Sequence, residues 1–336
     1  MKPRVAITMG EPAGVGPEVV ARALADRRVW EVCAPIVIGH RRLLEQAAKA
    51  QSLEVRFVDE LRPRAAAGPD DVPVLLGELF DPALVTPGKP TPETGRAVIR
   101  WIEEAVRLAR GGEVEAMATG PIDKAVLSRA GFGFPGHTEF LGALCETPRP
   151  VMMLASPRLR VVLATIHIPL SAVPGQLEAA DLPGLLRITD AALRRDFALS
   201  RPRIAVAALN PHGGEGGMFG DEEERLIRPA VEGARRAGID AVGPLPADTL
   251  FFHAREGAWD AVVCMYHDQG LIPLKMDGFM EGVNVTLGLP IVRTSVDHGT
   301  AYDLAGTGRA DPESLVAALR MAAEVATNRA RIAKNS

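Results

Sequence analysis

The chain has 336 residues, 47% hydrophobic and 24% charged, so it can bury more than one core and has no long biased segment that would argue for disorder. A net charge of −4, with scattered pairs such as Arg27-Arg28 and Arg235-Arg236 and no basic stripe carrying aromatics, argues against a nucleic-acid partner. No apolar run approaches the length that spans a bilayer.

Short β-branched runs alternate with helical patterns from the start: residues 5–9 then 18–24, 36–38 then 41–50, and 55–58 onward. Alternation of this kind reads as an α/β fold with a mostly parallel sheet flanked by helices. The apolar stretch at 5–9 runs straight into Gly10-Glu11-Pro12 and is too short for a signal sequence, so a cytoplasmic protein is expected. Residues 80–92 hold four prolines and one glycine, a long loop that is either a boundary or a lid, ahead of an amphipathic helix at about 94–110. Further strands are expected at 116–119, 151–154, 160–165, 204–209, 261–266 and 283–287, and a last helix from Asp311-Pro312 toward Arg331. Cys33, Cys145 and Cys264 are odd in number, far apart and without a CxxC pair, which fits reduced packing residues. Basic residues divide into 32 Arg and 6 Lys, so a lysine such as Lys124 or Lys275 stands against the chain's own preference.

Three glycine-rich segments invite a ligand. Gly131-Phe-Gly133-Phe-Pro135-Gly136 matches GxGxxG letter for letter, but it follows a helical pattern at 122–130 where the dinucleotide fingerprint requires a strand. Gly10 to Gly16 does follow a strand and open a helix, with neither the GxGxxG nor the P-loop spacing, and reads either as a ligand-facing loop or as a tight turn. Asn210 to Gly220 holds five glycines in eleven residues after an apolar strand, the freedom needed where main chain approaches a ligand or another chain.

His167, His212 and His267 each follow an apolar strand, at the edge where open α/β sheets bind ligands. Three neutral imidazoles from neighbouring strands suit Zn²⁺ and similar divalent ions and leave positions open for substrate oxygens. Asp268 either orients the His267 ring or is a turn residue. His40 and His253 receive no role.

Several segments together resemble the 4-hydroxythreonine-4-phosphate dehydrogenase family of vitamin B6 biosynthesis over nearly the whole chain. They are Met9 to Glu18, Thr119 to Lys124, Gly136 to Leu141, Asn210-Pro-His212, Tyr266 to Lys275 and Ser295 to Ala301. A second, more distant likeness joins residues 298–306, with Gly308, Ala310 and Pro312, to the adenosine-binding segment of isopropylmalate and isocitrate dehydrogenases, which bind NAD(P) without the GxGxxG pattern. The resemblance implies a two-lobed fold of that class, residues 1–135 with 295–336 in one lobe and 136–294 in the other, and an active site in the cleft. It implies a divalent metal (Zn, Mg or Co) on His167, His212 and His267, shared between the subunits of a homodimer. It further implies a small phosphorylated hydroxy acid held by His137, Thr138, Lys275, Asn284 and Arg293, and NAD or NADP on His298, Gly299, Thr300, Asp303 and Gly306. Lys275, Asp248 and a metal-activated water are open choices for the general base.

The chain departs from the family pattern at Asp123, where Asn is expected, at Gly213, where Ala is expected, and at Tyr302, where a smaller apolar residue is expected. The implied reaction is oxidation of 4-phosphooxy-L-threonine, followed by loss of CO₂ to give 3-amino-2-oxopropyl phosphate. Three alternatives stand beside it: a related dehydrogenase of four-carbon sugar-acid phosphates or dihydrodiols, a phosphate acyltransferase of the same fold, and a metallohydrolase built on the same histidines.

Overall fold

The computed structural model describes residues 1–59, 68–69, 71–77, 79–134 and 136–335. Its contacts divide the chain into two compact units, Met1–Pro150 with Leu289–Thr327, and Val151–Gly288 with Asn328–Ser336.

The first unit opens with β1 (Arg4–Thr8), α1 (Gly16–Ala25), α2 (Arg27–Val32), β2 (Ala34–Ile38), α3 (Arg41–Ala50), β3 (Phe57–Val58) and β4 (Val72–Leu75). It continues with α4 (Pro92–Arg110), β5 (Ala116–Thr119), α5 (Lys124–Arg129) and α6 (His137–Leu144). The second unit holds β6 (Val151–Ala155), β7 (Arg160–Leu163), α7 (Val173–Ala179), α8 (Leu182–Arg195), β8 (Arg203–Ala207), α9 (Arg228–Arg236), β9 (Asp240–Leu245), α10 (Ala247–Arg255), β10 (Ala261–Cys264), α11 (His267–Gly278) and β11 (Val283–Leu287). The chain then returns to the first unit through β12 (Arg293–Val296) and α12 (Glu313–Asn335), whose last residues group with the second.

Strands of the first unit follow the order β3-β4-β2-β1-β5-β12, every pair parallel. Such strands are covered on both faces and read as continuous apolar runs, as β1 and β2 do with Val5, Ile7, Ile36 and Ile38 buried. The order in the second unit is β11-β6-β7-β10-β8-β9, antiparallel at β11/β6 and β6/β7 and parallel from β7 onward. The mostly parallel α/β architecture expected from the sequence is therefore the one observed.

Residues 136–150 and 289–294, which the sequence division puts in the middle lobe, group with the first unit: α6 packs on α4, and β12 pairs with β5. Thr91 and Thr94 form a reciprocal cap that starts α4 directly after the proline-rich loop. All three cysteines are free and buried, and burial pushes the Cys33 thiol up to about 12. Among the described residues no helix is long and apolar enough to cross a membrane.

Candidate active site

In the second unit, four parallel strands side by side, β7, β10, β8 and β9, deliver His167, His267, His212 and Asp248 in turn, each beyond its strand's C-terminal end. Two cross-links align the first pair. Ala164 N donates to Cys264 O at 2.8 Å and Thr165 Oγ1 to Met265 O at 2.7 Å, so residues 167 and 267 emerge side by side with ring centroids 5.7 Å apart. The sequence places His267 at a strand end, but β10 stops at Cys264 and His267 is the first residue of α11. Its Nδ1 lies 2.7 Å from Asp268 Oδ1. In the tautomer with the proton on Nδ1, the Asp268 carboxylate would accept it and Nε2 would be left with its lone pair for a ligand. Gln269 fastens this corner by accepting from Met265 N at 2.7 Å and donating to Ala208 O at 2.6 Å, just past β8.

His212 sits in a run of left-handed backbone, with φ of +53° at His212, +70° at Gly213, +80° at Gly214, +45° at Glu215 and +66° at Gly216. Glycine is at home there; His212 and Glu215 carry strain and need a framework that holds them. Glu223, 1% exposed, supplies it by accepting from Leu209 N at 2.8 Å, Asn210 N at 2.7 Å and Asn210 Nδ2 at 2.9 Å. A Cβ on Gly214 would stand 2.8 Å from Glu223 Oε2, so this glycine is needed for close packing as well as for its backbone angle. The chain brings together His167 and His267 but not His212, and among the described residues no three His, Cys, Asp or Glu side chains are grouped to hold one ion. The donor chemistry fits a divalent cation at His167 and His267; within one chain it is two-thirds of a three-histidine set.

The other expected residues are more dispersed. Asp248 lies exposed in the first turn of α10, its Oδ1 accepting from Thr249 N at 2.9 Å. Lys275 is two turns along α11 from His267, about 12 Å at the usual helical rise, with Nζ 5.1 Å from the centre of the Phe279 ring. Asn284 is the second residue of β11, in register with Leu154 of β6, and so lies near its strand's start.

In the first unit, Thr119, Lys124, His137, Thr138 and Arg293 form a cationic cluster. Arg293, 2% exposed on β12, donates from Nη2 to Thr119 Oγ1 at 2.7 Å, and burial lowers its pKa to about 9. His137 opens α6 next to Gly136, where an added Cβ would lie 3.5 Å from Lys124 Nζ. Burial, with the charges of Arg293 and Lys124 adding, holds the His137 imidazole well below its usual range. An enclosed guanidinium, an ammonium and the N-terminus of a helix are groups that together bind an anion such as a phosphate monoester.

Residues 298–308 pack on the Gly10–Gly16 loop. Thr300 O accepts from Val15 N at 2.9 Å, and the Glu18 carboxylate accepts from Gly306 N and, at 3.0 Å, from Gly308 N. Glycines 14 and 16 are spoken for locally, since a Cβ there would come within 2.7 Å of Thr300 O and 2.4 Å of Met9 O. A cavity of about 260 Å³ opens beside them, lined by Gly14, Glu18, Ala47, Pro87, Gly306 and Gly308 among others. The residues present there suit a ligand laid along glycine-rich main chain. Tyr302 OH donates to Asp123 Oδ2 at 2.9 Å, so two of the three departures from the family pattern meet in one hydrogen bond. The GxGxxG look-alike follows α5, as its context requires of a decoy, and its Pro135 lies outside the described residues.

A profile of the family described as pyridoxal phosphate biosynthetic protein PdxA matches residues 31–322. The chain belongs to this family. Among PdxA relatives, 4-hydroxythreonine-4-phosphate dehydrogenase of Geobacter metallireducens is 54% identical over 327 residues, covering 97% of this chain and 96% of that protein. The crystal structure of 4-hydroxythreonine-4-phosphate dehydrogenase from Klebsiella pneumoniae superposes with a TM-score of 0.86 at 40% identity, covering 97% of this chain and all of that one. A terephthalate 1,2-cis-dihydrodiol dehydrogenase from Burkholderia xenovorans is similar at a lower level, with a TM-score of 0.65 and 27% identity over 96% of this chain and 98% of its own. The segments on which the sequence resemblance rests are the ones that supply most residues of the clusters above. Of the residues that brace them, Glu18 and Gln269 lie inside quoted segments but received no role there, and Glu223 lies in none; each acts mainly on backbone groups, which no side-chain pattern announces.

Proposed function

We propose that this chain is the 4-hydroxythreonine-4-phosphate dehydrogenase of pyridoxal 5'-phosphate biosynthesis. It would oxidise 4-phosphooxy-L-threonine with NAD or NADP to 2-amino-3-oxo-4-phosphooxybutanoate, which loses CO₂ to give 3-amino-2-oxopropyl phosphate. The single observation that carries the reading is near-full-length identity of 54% to a relative of that name, with the dihydrodiol dehydrogenase at 27%.

His167 and His267 would hold a divalent ion with His212 from a second copy of the chain. Exposed apolar side chains follow each of these histidines: Leu170, Met218, and Ile272 and Met276 on α11 with Phe279 just past its end. Large exposed apolar groups at such density suit coverage by a second subunit, and a homodimer is the assembly that would complete the three-imidazole set. A bound nicotinamide dinucleotide supplies hydride acceptance, and a bound divalent cation supplies charge stabilisation at the reacting hydroxyl. Asp268 keeps the His267 lone pair available. Arg293 and Lys124, with His137 and Thr138, would gather the substrate's anionic group, and Lys275 and Asn284 would hold its other polar groups. Either Lys275 or Asp248 would take the hydroxyl proton. Residues 298–306 would carry the dinucleotide, through His298, Gly299, Thr300, Asp303 and Gly306.

The test is a panel of four-carbon substrates assayed for dinucleotide reduction: 4-phosphooxy-L-threonine, the 4-phosphates of threonate and erythronate, and a cis-dihydrodiol. Preference for the amino acid phosphate supports the reading, and preference for any of the others replaces it.

A further inference from the structure

Asp123 uses its two carboxylate oxygens for different tasks. Oδ1 accepts from Ala125 N at 2.8 Å and Val126 N at 3.1 Å and so caps α5, whose first residue is Lys124. Oδ2 accepts from the Tyr302 hydroxyl at 2.9 Å, in the middle of residues 298–308. On the far side of Lys124 the chain reaches Gly136, where an added Cβ would lie 3.3 Å from Lys124 Cε, and then His137 and Arg293. A continuous path of neighbouring groups thus joins the segment beside the 260 Å³ cavity to the cationic cluster, all within the first unit.

We propose that the Tyr302–Asp123 hydrogen bond is a positioning link: a dinucleotide lying on residues 298–308 orders Tyr302, which fixes Asp123 and the start of α5, and so sets Lys124 for the substrate's phosphate. The link rests on the reading of this chain as a dinucleotide-dependent dehydrogenase of a phosphorylated substrate. Glu11, 1% exposed and accepting from Ala13 N at 3.1 Å, stands close enough that its charge and that of Asp123 both act to raise the Tyr302 pKa, behind burial as the largest cause. Tyr302 therefore stays a donor over the whole working pH range. By linkage, if the dinucleotide favours anion binding, the anion favours dinucleotide binding by the same factor.

The experiment measures NAD⁺ and NADP⁺ dissociation constants by calorimetry, with and without saturating inorganic phosphate, for the wild type, Tyr302→Phe, Asp123→Ser and the double variant. Asp123→Ser keeps a hydroxyl oxygen for the α5 cap and offers the tyrosine no group in place of Oδ2, whereas an Asn amide could still donate to the tyrosine oxygen, so the serine separates the link from the cap. Phosphate is expected to tighten dinucleotide binding about fivefold or more in the wild type, the lower end of ordinary site-to-site coupling. In each single variant the factor should fall to near one, with the affinity for either ligand alone retained within about threefold. The double variant should match the singles, because both changes remove one interaction. A wild-type factor near one, or a factor that persists in Tyr302→Phe and Asp123→Ser, overturns the link. A wild type that binds neither dinucleotide overturns the functional reading beneath it, which is a different result.

Discussion

Glu223→Gln isolates what holds His212 in place. The substitution keeps size and shape and removes the charge from a carboxylate that accepts three hydrogen bonds, from Leu209 N, Asn210 N and Asn210 Nδ2. A hydrogen bond to an ionised group contributes about 1.5–3 kcal/mol when removed singly. In the variant, the two backbone donors on Oε1 retain weakened bonds and the amide facing Asn210 Nδ2 loses its bond, so the net cost is about 2–4 kcal/mol. For a unit of this size, that lowers the melting temperature by roughly 5–15 °C. Residues 212–216 then lose the brace for their left-handed backbone, and metal affinity should fall about 10-fold to 100-fold, the usual effect of disturbing a group that orients a ligand. The assay is calorimetric melting beside metal content after dialysis, with Glu222→Gln as control, since among the described residues Glu222 accepts from the Asn210 amide alone, at 2.7 Å. Unchanged melting and metal content in Glu223→Gln would refute the bracing role.

Mixed dimers test the shared metal site: because His167 and His267 stand together in one chain, His212→Ala mixed with His267→Ala should recover one intact site per dimer, while His167→Ala mixed with His267→Ala should recover none. Recovery in the second pairing alone would contradict the arrangement. Arg293→Ala should cost about 30-fold to 1000-fold in kcat/KM on the phosphorylated substrate and add little on an analogue lacking phosphate; equal losses on both would remove Arg293 from phosphate recognition. The same change takes away a positive charge beside His137, so its imidazole pKa, read by NMR, should move up toward its ordinary value of about 6.5; no movement would place the two groups out of electrostatic reach. Stability should follow His137 with a definite sign: folded His137 resists a proton that the unfolded chain accepts below about 6.5, so stability falls as pH drops through that value, and His137→Asn should flatten the slope in denaturant titrations. Among the described residues, the lining of the 260 Å³ cavity includes a carboxylate, Glu18, and no Lys or Arg, so NAD⁺ should be preferred to NADP⁺ in kcat/KM; the reverse preference would move the ribose elsewhere.

The strands that carry the histidines were legible because β7, β8 and β10 are buried and rich in Val and Ile, and a run of that kind announces a parallel strand. Three strands were not singled out. β4 contains Pro73, β9 reads DAVGPL with Gly243 and Pro244, and β12 reads RTSV, so each lacks the uninterrupted apolar pattern while pairing supplies the strand. Arg293 is the sharpest case, since a charged residue opening a short strand looks solvent-facing until β12 seats it against Thr119 of β5. Helix α11 was hidden by Gly270 and Pro273 inside the motif that follows Tyr266. The bracing role of Glu18 was hidden for a different reason: although the residue closes the Met9 to Glu18 segment, its carboxylate meets residues 288 and 290 positions away, and no local pattern encodes that meeting.

The most direct test of the account is to strip the purified protein of metal, reload it with Zn²⁺, Mg²⁺ or Co²⁺, and follow NADH or NADPH formation and CO₂ release together with 4-phosphooxy-L-threonine. One CO₂ is expected for each dinucleotide reduced, in reloaded protein and not in stripped protein. Full turnover without metal would contradict the role given to His167, His212 and His267, and no dinucleotide reduction under any loading would contradict the assignment of the reaction itself.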